Sequence, residues 1–188
     1  VCKSWGGTEW MHLLQPSRFA PYVDVMNVQS NPQYPQRPAF MAKYMKDLSG
    51  KPVWGICHPE NTYGSFGSEK TAAIFSQLVR GGATGLEHWP SDWRGYMKKK
   101  GGTIFCRYGH RPRWDTTLDI SKRIQTMPLL KFPKEDFAFF LSCDTVLSKR
   151  WNHMDEEENL FSLLGPAAGT WFRFISDTQL LENTAKLT

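Results

Sequence analysis

The sequence has no run approaching the roughly 18 consecutive apolar residues of a membrane-spanning helix, so no membrane partner is expected. Cysteine is sparse. Cys2, Cys57, Cys106 and Cys143 stand far apart with no Cys-x-x-Cys pair, which fits neither a zinc knuckle nor a dense disulfide scaffold. Excess charge of one sign is small: 23 Lys and Arg against 18 Asp and Glu leave a formal +5. The basic run Lys98 to Lys100, followed by Arg107, Arg111 and Arg113, comes with no recognition motif and reads as a solvated loop, so nucleic acid is not expected as a partner. The chain starts at Val1 rather than Met, and its last stretch from Leu180 reads as a helix with no stop signal. Both ends are therefore expected to be cut, and with the true start out of view no targeting signal or compartment is read.

What is present is globular in balance. The 188 residues are 40% hydrophobic and 22% charged, enough for a real core. Aromatic residues make up 14%, with eight Trp, several of them beside Gly, Pro, Asp, Asn or His. Rings on loops offer flat apolar faces to sugars or bases. Trp54 and Trp171 sit inside apolar runs and are read as core.

The pattern along the chain alternates. Residues 1–21 read as irregular, with a short helix at 9–14. Tyr22 to Gln29 is apolar on alternate positions and runs into a stiff loop holding Pro32, Pro35 and Pro38, as a strand followed by a loop does. Helical spacing covers 39–48, with Ser49-Gly50 as a stop. Lys51 to Cys57 is an apolar strand ending in His58-Pro59-Glu60-Asn61. The next helix spans 69–80, capped by Ser68 and ended by Gly81-Gly82, and 83–89 forms another strand. This succession of strand, loop, helix and turn points to parallel β/α architecture. After a polar, basic excursion, a helix is predicted over 116–130 with Pro128 ending it early. Phe132 to Asp136 reads as a linker, 137–142 as a fully buried strand, 155–164 as a helix whose acidic start suits the dipole, 169–176 as a strand, and Ser176-Asp177 as the cap of a last helix. A boundary is placed at 132/133.

In parallel β/α folds the functional groups sit at the carboxyl ends of strands and in the loops that follow. That selects Asn31 to Pro35, His58 to Asn61 and His88 to Arg94. Glu60 follows an apolar strand and precedes a Gly-rich loop, a place where a carboxylate can face a pocket without being buried unpaired. Glu87 and Trp89 share a face by the two-residue period of a strand. An inward Glu87 needs a partner such as an Arg or His.

Three stretches carry a family resemblance: Asp24-Val-Met-Asn-Val-Gln-Ser-Asn-Pro-Gln-Tyr-Pro35, Gly50-Lys-Pro-Val-Trp-Gly55 leading to Glu60, and Gly81-Gly-Ala-Thr-Gly-Leu-Glu-His-Trp89. They resemble the words on strands six, seven and eight of the (β/α)8, or TIM, barrels of clan A glycoside hydrolases, most of all the family 42 β-galactosidases. The resemblance implies that Glu60 is the catalytic nucleophile of a retaining mechanism and that Trp89 floors the sugar subsite. It places Tyr34 beside the nucleophile. From their places at the strand ends and in the loops that follow, His58, Asn61, Glu87, His88, Trp93 and Arg94 are read as further substrate contacts. His58, His88 and Glu60 could be drawn as a metal site, but nothing else in the sequence supports one and no metal is expected. The resemblance implies a carbohydrate substrate and no cofactor. It also implies that 1–132 is the C-terminal part of the barrel and 133–188 the start of a flavodoxin-like α/β domain used in trimer formation, carried by Phe137 to Ser142 and Trp171 to Leu181. Retention requires two carboxylates about 5 Å apart. The family takes its general acid/base from strand four, expected upstream of this chain, so the chain alone is expected to be incomplete.

Two other readings stand beside this one. A carbohydrate-binding or assembly protein derived from such a barrel would keep the aromatic platform without catalysis. A small α/β domain binding a phosphate or nucleotide would need a Gly-rich loop at a helix N-terminus, and Gly64-Ser-Phe-Gly-Ser68 lacks the Lys of a P-loop.

Overall fold

The computed structural model describes residues 2–4, 16–30, 36–57, 60–61, 64–65, 67–88, 111–142 and 155–182. The chain is α/β with parallel sheets. The larger sheet holds β1 (Cys2–Ser4), β2 (Met26–Ser30), β3 (Val53–Cys57) and β6 (Gly85–His88), in that order across the sheet and parallel throughout. β1 falls where the sequence reads as irregular. A short helix α1 (Pro16–Phe19) and a 3-10 turn (Ala20–Tyr22) precede β2, so the strand starts later than the apolar alternation suggests.

Two crossover helices connect β2, β3 and β6: α2 (Arg37–Ser49) and α3 (Ser68–Arg80). α2 starts with Pro38 in its first turn, where a missing N–H costs nothing, and stops at Gly50 with φ 65°, the left-handed conformation that glycine adopts freely. The start of α3 differs from expectation. Ser68 is its first residue, Gly67 is the N-cap, and no side chain caps it.

Both helices lie on one face of this sheet. Met26, Val28, Val53 and Cys57 join one apolar cluster with Phe40, Met41, Tyr44 and Met45 of α2 and with Ile74, Phe75 and Leu78 of α3. Gly55 lets α3 close in, since a Cβ there would meet Leu78 Cδ2 at 2.6 Å. Residues of opposite parity on the strands, among them Asn27, Trp54, Ile56 and Glu87, face away from the helices. Helix α4 (Arg111–Thr126) begins earlier than predicted, with Pro112 tolerated in its first turn, and ends two residues before Pro128, since the residue preceding a proline is disfavoured in a helix.

The remaining elements form a second layer on α2. β7 (Phe137–Leu141) and β8 (Phe172–Ser176) make a parallel pair, linked through α5 (Asp155–Ser162) and a π-helical turn (Leu163–Ala167). The last helix, α6 (Asp177–Leu181), has Ser176 as its N-cap and a complete capping box with Gln179, as the sequence indicates for its start. β7 is not the fully buried strand expected: Phe139 and Leu141 turn toward β8 and the core, while Phe140 on the opposite face is 50% exposed.

α2 is the shared element. Nearly every side chain along it is buried, because one side meets the large sheet and another meets β8 and α5. Phe40 packs on Phe174 at 5.6 Å and on Phe161 at 5.7 Å, both edge to face. The segment between α4 and β7 is tied down as well. Phe132 stacks on Trp171 at 5.1 Å, and the ammonium groups of Lys46 and Lys43 each sit 4.2 Å from one of these rings.

Candidate functional site

β2, β3 and β6 end level with one another. Ser30 lies opposite Cys57, and Cys57 opposite His88. The three segments selected from sequence, starting at Asn31, His58 and His88, thus follow adjacent parallel strands at one end of the sheet, with His88 itself closing its strand. Tyr34, His58, Trp89, Trp93 and Arg94 lie outside the described residues. His88 is the last residue of β6.

Glu60 and Asn61 do not extend β3. They form β4 (Glu60–Asn61), paired antiparallel with β5 (Gly64–Ser65), so that Glu60 stands opposite Ser65 in a small hairpin beyond the carboxyl end of β3. A hairpin fixes the backbone at Glu60 by cross-strand hydrogen bonds, which a free loop does not. The sequence gives no sign of it beyond the Gly64 turn region.

Glu87 is the sequence-selected side chain that the structure describes in full. It points to the helix-free face, as the alternation requires, and it is half-buried. Among the described residues its partner is Asn27 rather than an Arg or a His: Asn27 Nδ2 donates to Glu87 Oε2 at 2.8 Å. The bond spans an intervening strand, because Asn27 is on β2, Glu87 on β6 and β3 runs between them. Two strand spacings amount to about 10 Å, so the contact is readily made only where the sheet curls toward this face.

Asn27 was not singled out from sequence. Its polar side chain alternates with Met26 and Val28, and that alternation was the available signal. It is 2% exposed, and among the described residues its Oδ1 has no hydrogen-bond partner. Trp54 corrects the reading of that residue as core. It is 44% exposed, lies between Asn27 and Gly85 in the register, and its indole rests on Gly85, where a Cβ would come within 2.4 Å of Trp54 Cδ1. Ile56, one step further along the same face, is fully buried.

Among the described residues no group of His, Cys, Asp and Glu has an arrangement suited to a metal ion, and no helix is long and apolar enough to cross a membrane. The chain matches no family model, no curated protein and no solved structure.

Proposed function

We propose that this chain is part of a retaining glycoside hydrolase of the (β/α)8-barrel type, most like the family 42 β-galactosidases, and that Glu60 is its nucleophile. In this reading β2, β3 and β6 are barrel strands six, seven and eight, and β1 is the strand before them. Residues 133–188, with their parallel β7 and β8 joined through α5, open a flavodoxin-like domain suited to trimer formation.

The observation that carries the reading is the level ending of β2, β3 and β6, which gathers the segments bearing Tyr34, Glu60 and Trp89 at one end of a parallel sheet. Two further features support it. Strand order follows chain order with both crossovers on one face, as in a barrel; a doubly wound sheet reverses its order and covers both faces. The Asn27 to Glu87 bond asks for curl toward the helix-free face, which becomes the interior of a barrel.

In the proposed chemistry the Glu60 carboxylate attacks the anomeric carbon while a general acid protonates the departing oxygen, leaving a glycosyl ester on Glu60. Water activated by the same acid, now a base, then releases the sugar. The acid/base falls to a strand-four residue by the resemblance. Trp89 floors the ring, while His58, Asn61, His88, Trp93 and Arg94 supply contacts to hydroxyls. Glu87 is placed as a further contact from the inner face. Hydrolysis of an aryl β-galactoside by the longest available form of the protein tests this: Glu60→Gln lowers the rate at least about 1000-fold, and an unchanged rate defeats the assignment.

A further inference from the structure

Lys46 sits at the joint between the two layers, in surroundings that no part of the hydrolytic reading uses. It is half-buried in the last turn of α2, and its side chain lies across Gly82, where a Cβ would come within 2.7 Å of Lys46 Cδ and 3.0 Å of Nζ. The amine is thereby held 4.2 Å from the Phe132 ring. One turn earlier Lys43 has a carboxylate partner, Asp47 Oδ2 at 2.9 Å, and that oxygen also accepts from the Phe174 N–H. Among the described residues Lys46 has no carboxylate within ion-pairing distance. Burial pulls the Lys46 amine below its ordinary 10.5, and the Lys43 charge adds to this, against the opposing pull of Asp47 and Glu135. An amine that is desolvated and set beside another cation keeps more of its neutral, nucleophilic form.

The ring under the amine is structural. Phe132 stacks on Trp171 at 5.1 Å, and four residues on, Asp136 bonds Trp171 twice: its N–H donates to the Trp171 carbonyl at 2.6 Å, and its Oδ2 accepts from the Trp171 N–H at 2.8 Å. Leu129, Leu130 and Lys131, just before the ring, are exposed. Among the described residues Phe132 and Asp136 thus pin the segment between α4 and β7, with Lys46 over the first of them.

We propose that Lys46 Nζ is an acylation site, taking an acyl group from a thioester, and that the amide formed releases the Phe132 pin. The neutral amine attacks the carbonyl carbon of the thioester. A C–N bond forms as the C–S bond breaks, and the sulfur leaves as a thiol with the proton that nitrogen gives up. The amide is uncharged, so it no longer offers a cation to the ring. An imine formed from an aldehyde would not act in this way, because it is readily protonated and stays cationic. Freed from the ring, the segment bearing Leu129 and Leu130 gains play, while Asp136 still holds its far end. This requires neither Glu60 nor a sugar, so it stands apart from the hydrolytic reading.

Brief treatment of the 188-residue chain with S-acetyl-N-acetylcysteamine near neutral pH, followed by mass spectrometry of a digest, tests the site. Lys46 is acetylated about three-fold or more faster than the exposed Lys122, Lys131 and Lys134. Release is read with trypsin, which cuts at Lys131 just before the ring. Lys46→Gln, with a neutral amide in place of the amine, speeds that cut about three-fold or more over wild type, the scale of one cation–π contact. Lys46→Arg keeps the charge and the wild-type rate. Cutting at Lys70 inside α3 stays slow in all three, which shows that the fold has held. Acetylation of Lys46 no faster than that of the exposed lysines overturns the site. A Lys131 cut unmoved by Lys46→Gln, or moved equally by Lys46→Arg, overturns the release, as does a Lys70 cut that speeds in step.

Discussion

Arg37 Nε and Glu158 Oε2 meet at 2.8 Å, with both side chains less than one-tenth exposed, and join the first turn of α2 to α5 from 121 residues away in sequence. The pair sits where α2 serves two layers at once. Removing one member leaves the other charge buried, which costs far more than the pair itself contributes. Arg37→Ala, which leaves the Glu158 carboxylate buried, is therefore expected to lower the unfolding free energy by about 3 kcal/mol or more. Urea denaturation measures it, and a loss near zero would mean that water reaches Glu158.

Asp47 closes the other end of the same contact. Its Oδ2 accepts from the backbone N–H of Phe174 at 2.9 Å and from Lys43 Nζ at 2.9 Å, while Gln179 Nε2 donates to the Asp47 carbonyl. Burial pushes the Asp47 carboxyl above its ordinary 3.8, and the Lys43 charge and the Phe174 N–H only partly oppose it. In the window between the ordinary and the raised value, the folded chain still holds a proton that the unfolded chain has released. Stability contributed by Asp47 thus falls as pH rises through that window and is recovered as pH falls. Comparing the pH dependence of unfolding in wild type and Asp47→Asn isolates the effect. Wild type gains on the variant toward acid, and parallel curves would contradict the assignment.

Gly81 and Gly50 end successive helices for different reasons. At Gly81 the backbone is right-handed, but a Cβ would lie 2.3 Å from the Ala39 carbonyl oxygen, so α2 and α3 would have to separate. Gly50 has φ 65° and open space around it. Gly81→Ala is expected to cost about 2–3 kcal/mol through overpacking, and Gly50→Ala about 1 kcal/mol through backbone strain alone. Thermal unfolding of the two variants checks the order, and the reverse order would contradict the close approach.

Phe40 is in contact with Tyr44, Phe161 and Phe174, so it links α2 to both α5 and β8. Phe40→Ala is expected to cost about 3–5 kcal/mol, and in wild type the two sheets should melt in one transition because they share α2. Coincident curves from far-UV circular dichroism and tryptophan fluorescence are the expected result; two separated transitions would show that the layers fold independently.

Much of the layout was legible because it depends on local chemistry. Gly50, Gly82 and the Ser176 capping box mark helix ends by conformations or bonds that residue type alone dictates. The apolar periodicity of 39–48 and 69–80 located both crossover helices. Other features depend on partners distant in sequence. Trp54 reads as core within Val-Trp-Gly-Ile-Cys, and only the register that sets it beside Gly85 shows that its ring lies on the helix-free face, over that glycine. Asn27 becomes notable only once Glu87, 60 residues on, folds against it. The half-exposed Phe140 was hidden for the same reason, since an apolar run does not say which of its faces is covered.

The central assignment, Glu60 as nucleophile, is tested most directly by trapping. With 2-deoxy-2-fluoro-β-galactosyl fluoride the leaving group needs no protonation, so capture does not depend on the general acid, and the 2-fluoro group slows release of the ester by opposing positive charge at the anomeric carbon. Mass spectrometry of the digested protein is expected to find the fluorogalactosyl adduct on the peptide containing Glu60, and to find none in Glu60→Gln. An adduct on another carboxylate, or none on the folded protein, would contradict the account.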